Sequence, residues 1–216
     1  MPRWNRSNPL ALAVLVTLYE RPMHPYEVAQ TLRQRAKQES VRLNYGSLYA
    51  VVESLEKRSL IEARETVREG KRPERTVYAI TDKGSTEMID WLTELIGVPS
   101  KEYPRFMAGL SFLGALTPED ALSALRTRAE ALAFQLAGLR GGMRAAKDAG
   151  LPRLFGLEAE YEEQQLESEL HFVEALVKDI ASGDLEGVDI WRSFHTDGVN
   201  PFEGVTFSFN PDVEDV

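Results

Sequence analysis

The sequence predicts a mainly α protein: a winged helix-turn-helix domain with a small β-hairpin wing, followed by a helical dimerisation domain with two long helices. Three observations predict it. Helix-start signals at Asn8-Pro9, His24-Pro25 and Asn44 open three short helices before residue 60. Two segments of period-two alternation follow, separated by a basic interruption, as in a hairpin. Beyond Thr117 the apolar residues step by three and four for over three heptads, which is the pattern of a long helix seeking a partner.

Taken in order, Asn8 is a cap and Pro9 a first-turn proline, and Leu10 to Tyr19 is apolar nearly all round, as in a buried helix. His24-Pro25-Tyr26-Glu27 opens the second helix, with Val28, Ala29 and Leu32 as its apolar face through about Gln38. Asn44 caps the third, through about Arg58, with Leu48, Val51, Val52 and Leu55 on one stripe. Ile61, Ala63 and Glu65 then alternate, Arg68 to Arg75 forms a basic tip, and Thr76, Tyr78 and Ile80 resume the alternation. Thr81-Asp82 starts a fourth helix to about Ile96, with Met88, Trp91, Leu92 and Leu95 facing the core. Gly97-Val98-Pro99 ends it, so the winged-helix domain is expected over 1–96.

The helical domain is expected over 97–183. A short apolar segment, Phe106 to Leu116, precedes Thr117-Pro118-Glu119-Asp120, which combines cap, proline and acidic first turn. Its seam runs through Leu122, Leu125, Ala129, Leu132, Leu136, Leu139, Met143 and Ala146, with Gly138, Gly141 and Gly142 expected to bring a bend or close packing. Leu151-Pro152 leads into a second long helix to Ile180, with Leu154, Leu157, Tyr161, Leu166, Leu170, Val173 and Val177 in its stripe. Ser182-Gly183 stops it. The tail, 184–216, is expected to be aromatic and partly ordered, with strand-like alternation at Val205 to Phe209. The two stripes exceed what one helical hairpin buries, so a homodimer is expected through Leu122, Leu125, Leu132, Leu136, Leu139, Leu166, Leu170, Val173 and Val177.

Composition narrows the function classes. The net charge of −9 is unevenly placed. Residues 1–96 hold 15 Lys+Arg against 13 Asp+Glu, and the remainder 10 against 21, so the acidity belongs to the second half. A phosphate-binding surface therefore belongs between Arg33 and Lys83. With no cysteine there is no disulfide, thiolate metal site or cysteine nucleophile, and three isolated histidines offer no ligand pair. No cofactor or metal is expected. Nor is an enzyme, since no nucleophile motif, phosphate-binding Gly-rich loop or His-carboxylate cluster is present. No apolar run reaches about 18 residues and the start lacks a secretory signal, which makes the cytoplasm the expected location.

In a winged helix the third helix enters the major groove and the wing meets the neighbouring backbone. Gly46, Ala50, Glu53 and Lys57 lie opposite the core stripe of that helix, and the first two are small enough to permit close approach. Asn44, Tyr45, Ser47 and Tyr49 cluster at its N-terminal end, where the dipole favours phosphate; Asn44 is equally a plain cap and Tyr49 a half-buried core residue. Lys71, Arg72 and Arg75 supply the wing's charge. Glu53 counts against this reading, because it repels phosphate, although a carboxylate accepts from cytosine N4. Trp91, Phe106, Phe112 and Trp191 are candidates for an effector pocket, with ordinary packing as the plainer reading of each.

His24-Pro-Tyr26-Glu27, Tyr45-Gly46-Ser47-Leu48-Tyr49 with Leu55-Glu56, Leu60-Ile61, and Arg75-Thr-Val-Tyr78-Ala-Ile-Thr81-Asp-Lys83-Gly84 together resemble the PadR family of transcriptional regulators over residues 8 to 95. The C-terminal half resembles the long-helix dimerisation domain of its larger members, by pattern more than by motif. The resemblance implies a homodimeric regulator, usually a repressor, that binds a palindromic operator and releases it on binding a small aromatic or amphipathic effector. It also implies that Tyr26, Tyr45, Ser47 and Tyr49 face DNA, with Lys71 and Arg72 on the wing. Ala50 and Ser59 stand where the family commonly has proline and glycine, which bears on the turn leaving the third helix. The competing expectation is a winged-helix protein-interaction module without sequence-specific DNA binding, motivated by Glu53 and the acidic second half.

Overall fold

The computed structural model describes residues 6, 8–38, 40–67 and 75–197, arranged as two compact units, Met1–Lys101 and Glu102–Val216. The expected fold class is the observed one: mainly helical, with a single two-stranded antiparallel sheet among the described residues.

In the first unit, α1 (Pro9–Glu20) runs through the centre and packs against α2 (Pro25–Gln34), α3 (Tyr45–Lys57), α4 (Asp82–Gly97) and strand β2 (Arg75–Ile80). Its all-round apolar sequence is thereby explained: Leu10, Ala11, Leu12, Val14, Leu15 and Leu18 are all buried. The buried hydroxyl of Thr17 is satisfied within the helix, donating to the Ala13 carbonyl at 2.7 Å. The caps do what the residue types promise. Asn8 Oδ1 accepts from Leu10 N at 3.1 Å, Asn44 Oδ1 from Ser47 N at 2.8 Å, and Thr81 Oγ1 from Gly84 N at 3.0 Å. His24 Nδ1 accepts from Tyr26 N at 3.1 Å, while Glu27 reaches back to the His24 backbone N–H at 2.9 Å.

Two helix exits use the left-handed region without glycine. α2 ends at Gln34, not at Gln38 as the apolar pattern suggested, because Ala36 turns to φ +55° and Lys37 N–H closes onto the Leu32 carbonyl at 2.9 Å. Ser59 does the same after α3, at φ +58°, with Leu60 N–H bonded to the Leu55 carbonyl at 3.0 Å. The turn leaving α3 therefore forms with serine in place of the glycine common in the family that the sequence resembles, at a cost in backbone strain.

β1 (Ile61–Val67) pairs antiparallel with β2 (Arg75–Ile80), from Ile61 opposite Ile80 to Val67 opposite Arg75. Arg64 is the extra residue of a bulge between Ala63 and Glu65. The other edge of β2 is held by Met23, which exchanges two 3.0 Å backbone hydrogen bonds with Tyr78. Next in the chain, α4 starts hard against the α3 exit: the Leu60 carbonyl accepts Thr81 N–H at 3.0 Å, and the Thr81 Oγ1–H is shared between the Ser59 carbonyl at 2.9 Å and the Leu60 carbonyl at 3.1 Å. Only glycine fits at 84, where a Cβ would sit 2.0 Å from that same oxygen. Met88 and Trp91 are buried as expected, but Leu95 is exposed, since the core ends a turn before the helix does.

The second unit opens with α5 (Arg105–Ser111) and a 3₁₀ turn (Leu113–Ala115) over the predicted apolar segment. α6 (Pro118–Asp148) is capped by Thr117, which accepts from Asp120 N at 3.1 Å. α7 (Leu157–Ser182) packs along it. Leu125, Leu132, Val173 and Ile180 are buried between them, with Leu122, Ala129, Leu166, Leu170 and Val177 against that core. Ion pairs flank the seam, Arg128 to Glu169 and Arg140 to Glu163 and Glu167. Three expectations need correction. α7 starts six residues past Leu151, because a 3₁₀ turn (Arg153–Gly156) intervenes. Leu154, Leu157 and Tyr161 are exposed and do not continue the buried stripe. Gly138, Gly141 and Gly142 do not break α6, and nothing lies within 4 Å of where their Cβ atoms would be, so they serve no close packing within the described chain.

Gly183, at φ +81°, ends α7 as expected. The tail then holds a helix that the composition concealed, α8 (Val188–Asp197), which packs on α6. Val188 is buried, and Trp191 donates its indole N–H to the Leu116 carbonyl at 2.7 Å. The alternation expected at Val205 to Phe209 lies outside the described residues. No described helix is long and apolar enough to cross a membrane.

Candidate nucleic-acid interface

Burying Leu48, Val51, Val52 and Leu55 turns the opposite face of α3 outward. Gly46, Tyr49, Ala50, Glu53 and Lys57 are exposed there, and Ser47 is half-buried. Gly46 is not demanded by the fold, since a Cβ would meet only Asn44 Oδ1 at an ordinary 3.7 Å. Its absence leaves the surface thin. The repulsion feared from Glu53 is offset locally: Lys57 Nζ sits 2.6 Å from its carboxylate and holds that carboxyl below its ordinary value.

α2 supplies the other half of the surface. Tyr26, 46% exposed, lies parallel to Tyr45, 39% exposed, with ring centroids 6.1 Å apart. Arg33 stacks its guanidinium 4.5 Å from the Tyr45 ring centre and donates through Nη1 to the Tyr45 hydroxyl. Gln30 Nε2 donates to the Tyr26 hydroxyl at 3.4 Å. So Tyr26, Asn44, Tyr45, Gly46, Ser47, Tyr49 and Ala50 share one neighbourhood at the α2–α3 corner, with Lys57 three turns along α3. Sequence reasoning missed Arg33 and Gln30. The signal was present, because residues 26, 30 and 33 fall at i, i+4 and i+7 on the face of α2 opposite Val28, Ala29 and Leu32. Lys71 and Arg72 lie outside the described residues; Arg75 begins β2, and its side chain also lies outside them.

Residues 14–90 match the family described as transcriptional regulator PadR-like. A relative, the negative transcriptional regulator PadR of Bacillus subtilis (strain 168), is 22% identical over 146 residues, spanning 68% of this chain and 79% of its own. Over residues 14–90 the chain is similar to the PadR-like transcriptional regulators. Solved structures show the same fold. Bacillus subtilis PadR in complex with operator DNA superposes with a TM-score of 0.65 at 19% identity, covering 80% of this chain and 99% of that one. The same protein with p-coumaric acid gives 0.64 at 18%, covering 80% and 98%. The smu.1604c protein of Streptococcus mutans UA159 gives 0.56 at 22%, covering 79% and 99%. The α2–α3 corner falls within the span that matches this family.

The residues expected to form a dimer or hold an effector are distributed as follows. Leu125, Leu132, Leu136 and Val173 are buried, and Leu122, Leu139, Leu166, Leu170 and Val177 half-buried, on the α6–α7 seam. Trp91, 1% exposed, belongs to the core of the first unit. The other three effector candidates are in the second unit. Phe106 is half-buried under Arg128, 3.9 Å away, and edge-on to Phe172; Phe112 is 76% exposed; Trp191 packs on the α6–α7 core.

Proposed function

We propose that this regulator is a homodimeric, cytoplasmic repressor that binds a palindromic operator through the α2–α3 corner and the wing, and releases it on binding a small aromatic effector. One observation carries the DNA-binding assignment: the tyrosine-rich outer face of α2 and α3 is exposed, although the opposite faces are fully committed to the core. Small residues at Gly46 and Ala50 suit entry into the major groove. Tyr26, Asn44, Tyr45, Ser47 and Tyr49 are placed to meet backbone and groove edge, and Lys57, Lys71, Arg72 and Arg75 supply positive charge. The name of the Bacillus subtilis relative, a negative regulator, supports repression, and its complex with p-coumaric acid supports an effector of that chemical class.

Dimerisation is supported by what the α6–α7 hairpin leaves uncovered. Phe134 is 82% exposed, Leu154 70%, Tyr161 64% and Phe155 61%, an apolar load that a monomer rarely presents to water. The purified chain is expected to recover specific fragments from sheared genomic DNA, with affinity falling steeply in salt. Uniform recovery of all fragments, or none, refutes an operator and favours a protein-interaction role. Sedimentation at micromolar concentration is expected to give a dimer; a monomer there refutes the assembly.

A further inference from the structure

Arg33 and Gln30 are exposed side chains on α2, yet both are spent on phenol oxygens: Arg33 on Tyr45, Gln30 on Tyr26. A phenol that accepts a hydrogen bond from its neighbour turns its own O–H elsewhere, as a donor. A guanidinium that uses one of its five N–H groups on that phenol keeps others for a second acceptor, in a rigid plane fixed here by the ring beneath it. The corner thus presents donors, one of them cationic. Fixing a long, exposed arginine this way sacrifices rotamer freedom for little gain in stability, since an exposed cation–π contact is weak. Such a surface suits an anion with several acceptor oxygens.

Resting on the DNA-binding reading above, we infer that Arg33 is a direct contact to the phosphodiester backbone of double-stranded DNA, and that Tyr45 positions it while donating its own O–H to the same phosphate group. Gln30 sets Tyr26 in the equivalent way. Because these contacts go to phosphate, they add affinity and register without choosing a sequence.

The test uses the full chain and two duplexes of equal length, a genomic fragment recovered by the wild type and an unrelated sequence, titrated by fluorescence anisotropy between about 50 and 200 mM salt. Arg33→Gln is expected to weaken both duplexes by the same factor, roughly ten- to a hundredfold. The slope of log affinity against log salt should flatten by about one for each bound subunit. Arg33→Lys keeps the charge and restores the slope, but not the full affinity, because it lacks the stacked fork. Tyr45→Phe weakens binding in the wild-type background and adds little to Arg33→Gln. An unchanged affinity and slope in Arg33→Gln overturns the inference, as does a loss of affinity with unchanged slope and a lowered melting temperature, which marks a scaffold role only. A wild type that recovers no genomic fragment and binds no duplex removes the DNA-binding reading itself, and this inference with it; one that binds while Arg33→Gln matches it removes the inference alone.

Discussion

Gly84→Ala is expected to loosen the first unit selectively. The added methyl carbon would lie 2.0 Å from the Leu60 oxygen, 2.9 Å from its carbonyl carbon and 2.8 Å from Ile80 Cγ1. Two of those atoms are backbone, so neither a rotamer change nor a flexible side chain relieves the clash. Overpacking of this kind costs about 3 kcal/mol. Moving the Leu60 carbonyl also strains the backbone hydrogen bond that it accepts from Thr81 N–H, worth about 1 kcal/mol. Alanine returns about 1 kcal/mol through helix propensity. The net loss is about 2–4 kcal/mol, read as a fall of roughly 30- to 1000-fold in amide-exchange protection over α1 and α4. Peptides from α6 and α7 serve as the internal reference and should exchange as in the wild type. Gly142→Ala, open on all sides within the described chain, should instead gain about 1 kcal/mol. If Gly84→Ala keeps full protection in α1, the close packing of α4 on the α3 exit is wrong.

Ser59→Gly and Ala36→Gly should each raise the melting temperature, by about 0.5–1 kcal/mol of stability, because removing the left-handed strain outweighs the entropy of the added glycine; a lower melting temperature would contradict the Schellman exits. Asn44→Ala should lose about 1 kcal/mol in thermal unfolding and Asn44→Asp nearly nothing, since aspartate also accepts from Ser47 N–H. The Arg35 guanidinium, hydrogen-bonded to Glu20, holds that carboxyl below its ordinary value. The pair therefore adds stability above the usual carboxylate range and loses it as pH falls through the lowered value. Both groups are substantially exposed, which limits the gain to below about 1 kcal/mol. The stability difference between wild type and Glu20→Gln should shrink as urea titrations move from pH 7 towards pH 3, and a widening difference would refute the pairing.

The first unit was legible because its information is local. The starts of α1, α2 and α4 are written as a cap plus proline or acidic first turn and that of α3 as the Asn44 cap alone, and the α3 stripe and hairpin alternation each bury one face. Helix ends were less legible where Ala36 adopts a conformation usually advertised by glycine. In the second unit, periodicity identified the buried residues of α6 and of the C-terminal part of α7, but not the exposure of Leu157 and Tyr161, nor what does the burying: Leu132 and Val173 are covered within one chain, while Phe134, beside the seam, is not. α8 was missed because Gly183, Asp184 and Gly187 make its surroundings read as tail, although Val188, Trp191 and His195 fall at i, i+3 and i+7. Arg33 was missed for a different reason. Spacing within α2 places it on the outer face with Tyr26 and Gln30, but its partner is a ring twelve positions away in another helix, which that spacing does not reveal.

The bridge between Met23 and Tyr78 ties the foot of the hairpin to the loop that leads into α2. A ribbon clamped at its root transmits torque into the helices and does not swing as a free flap. Its angle to α2 and α3 is a fixed gauge. The Arg64 bulge, just outside the clamp, is the first place where the ribbon can yield, so under the proposed DNA-binding mode a duplex whose backbone spacing departs from that gauge would be matched by twisting the outer strands or by deforming the duplex itself.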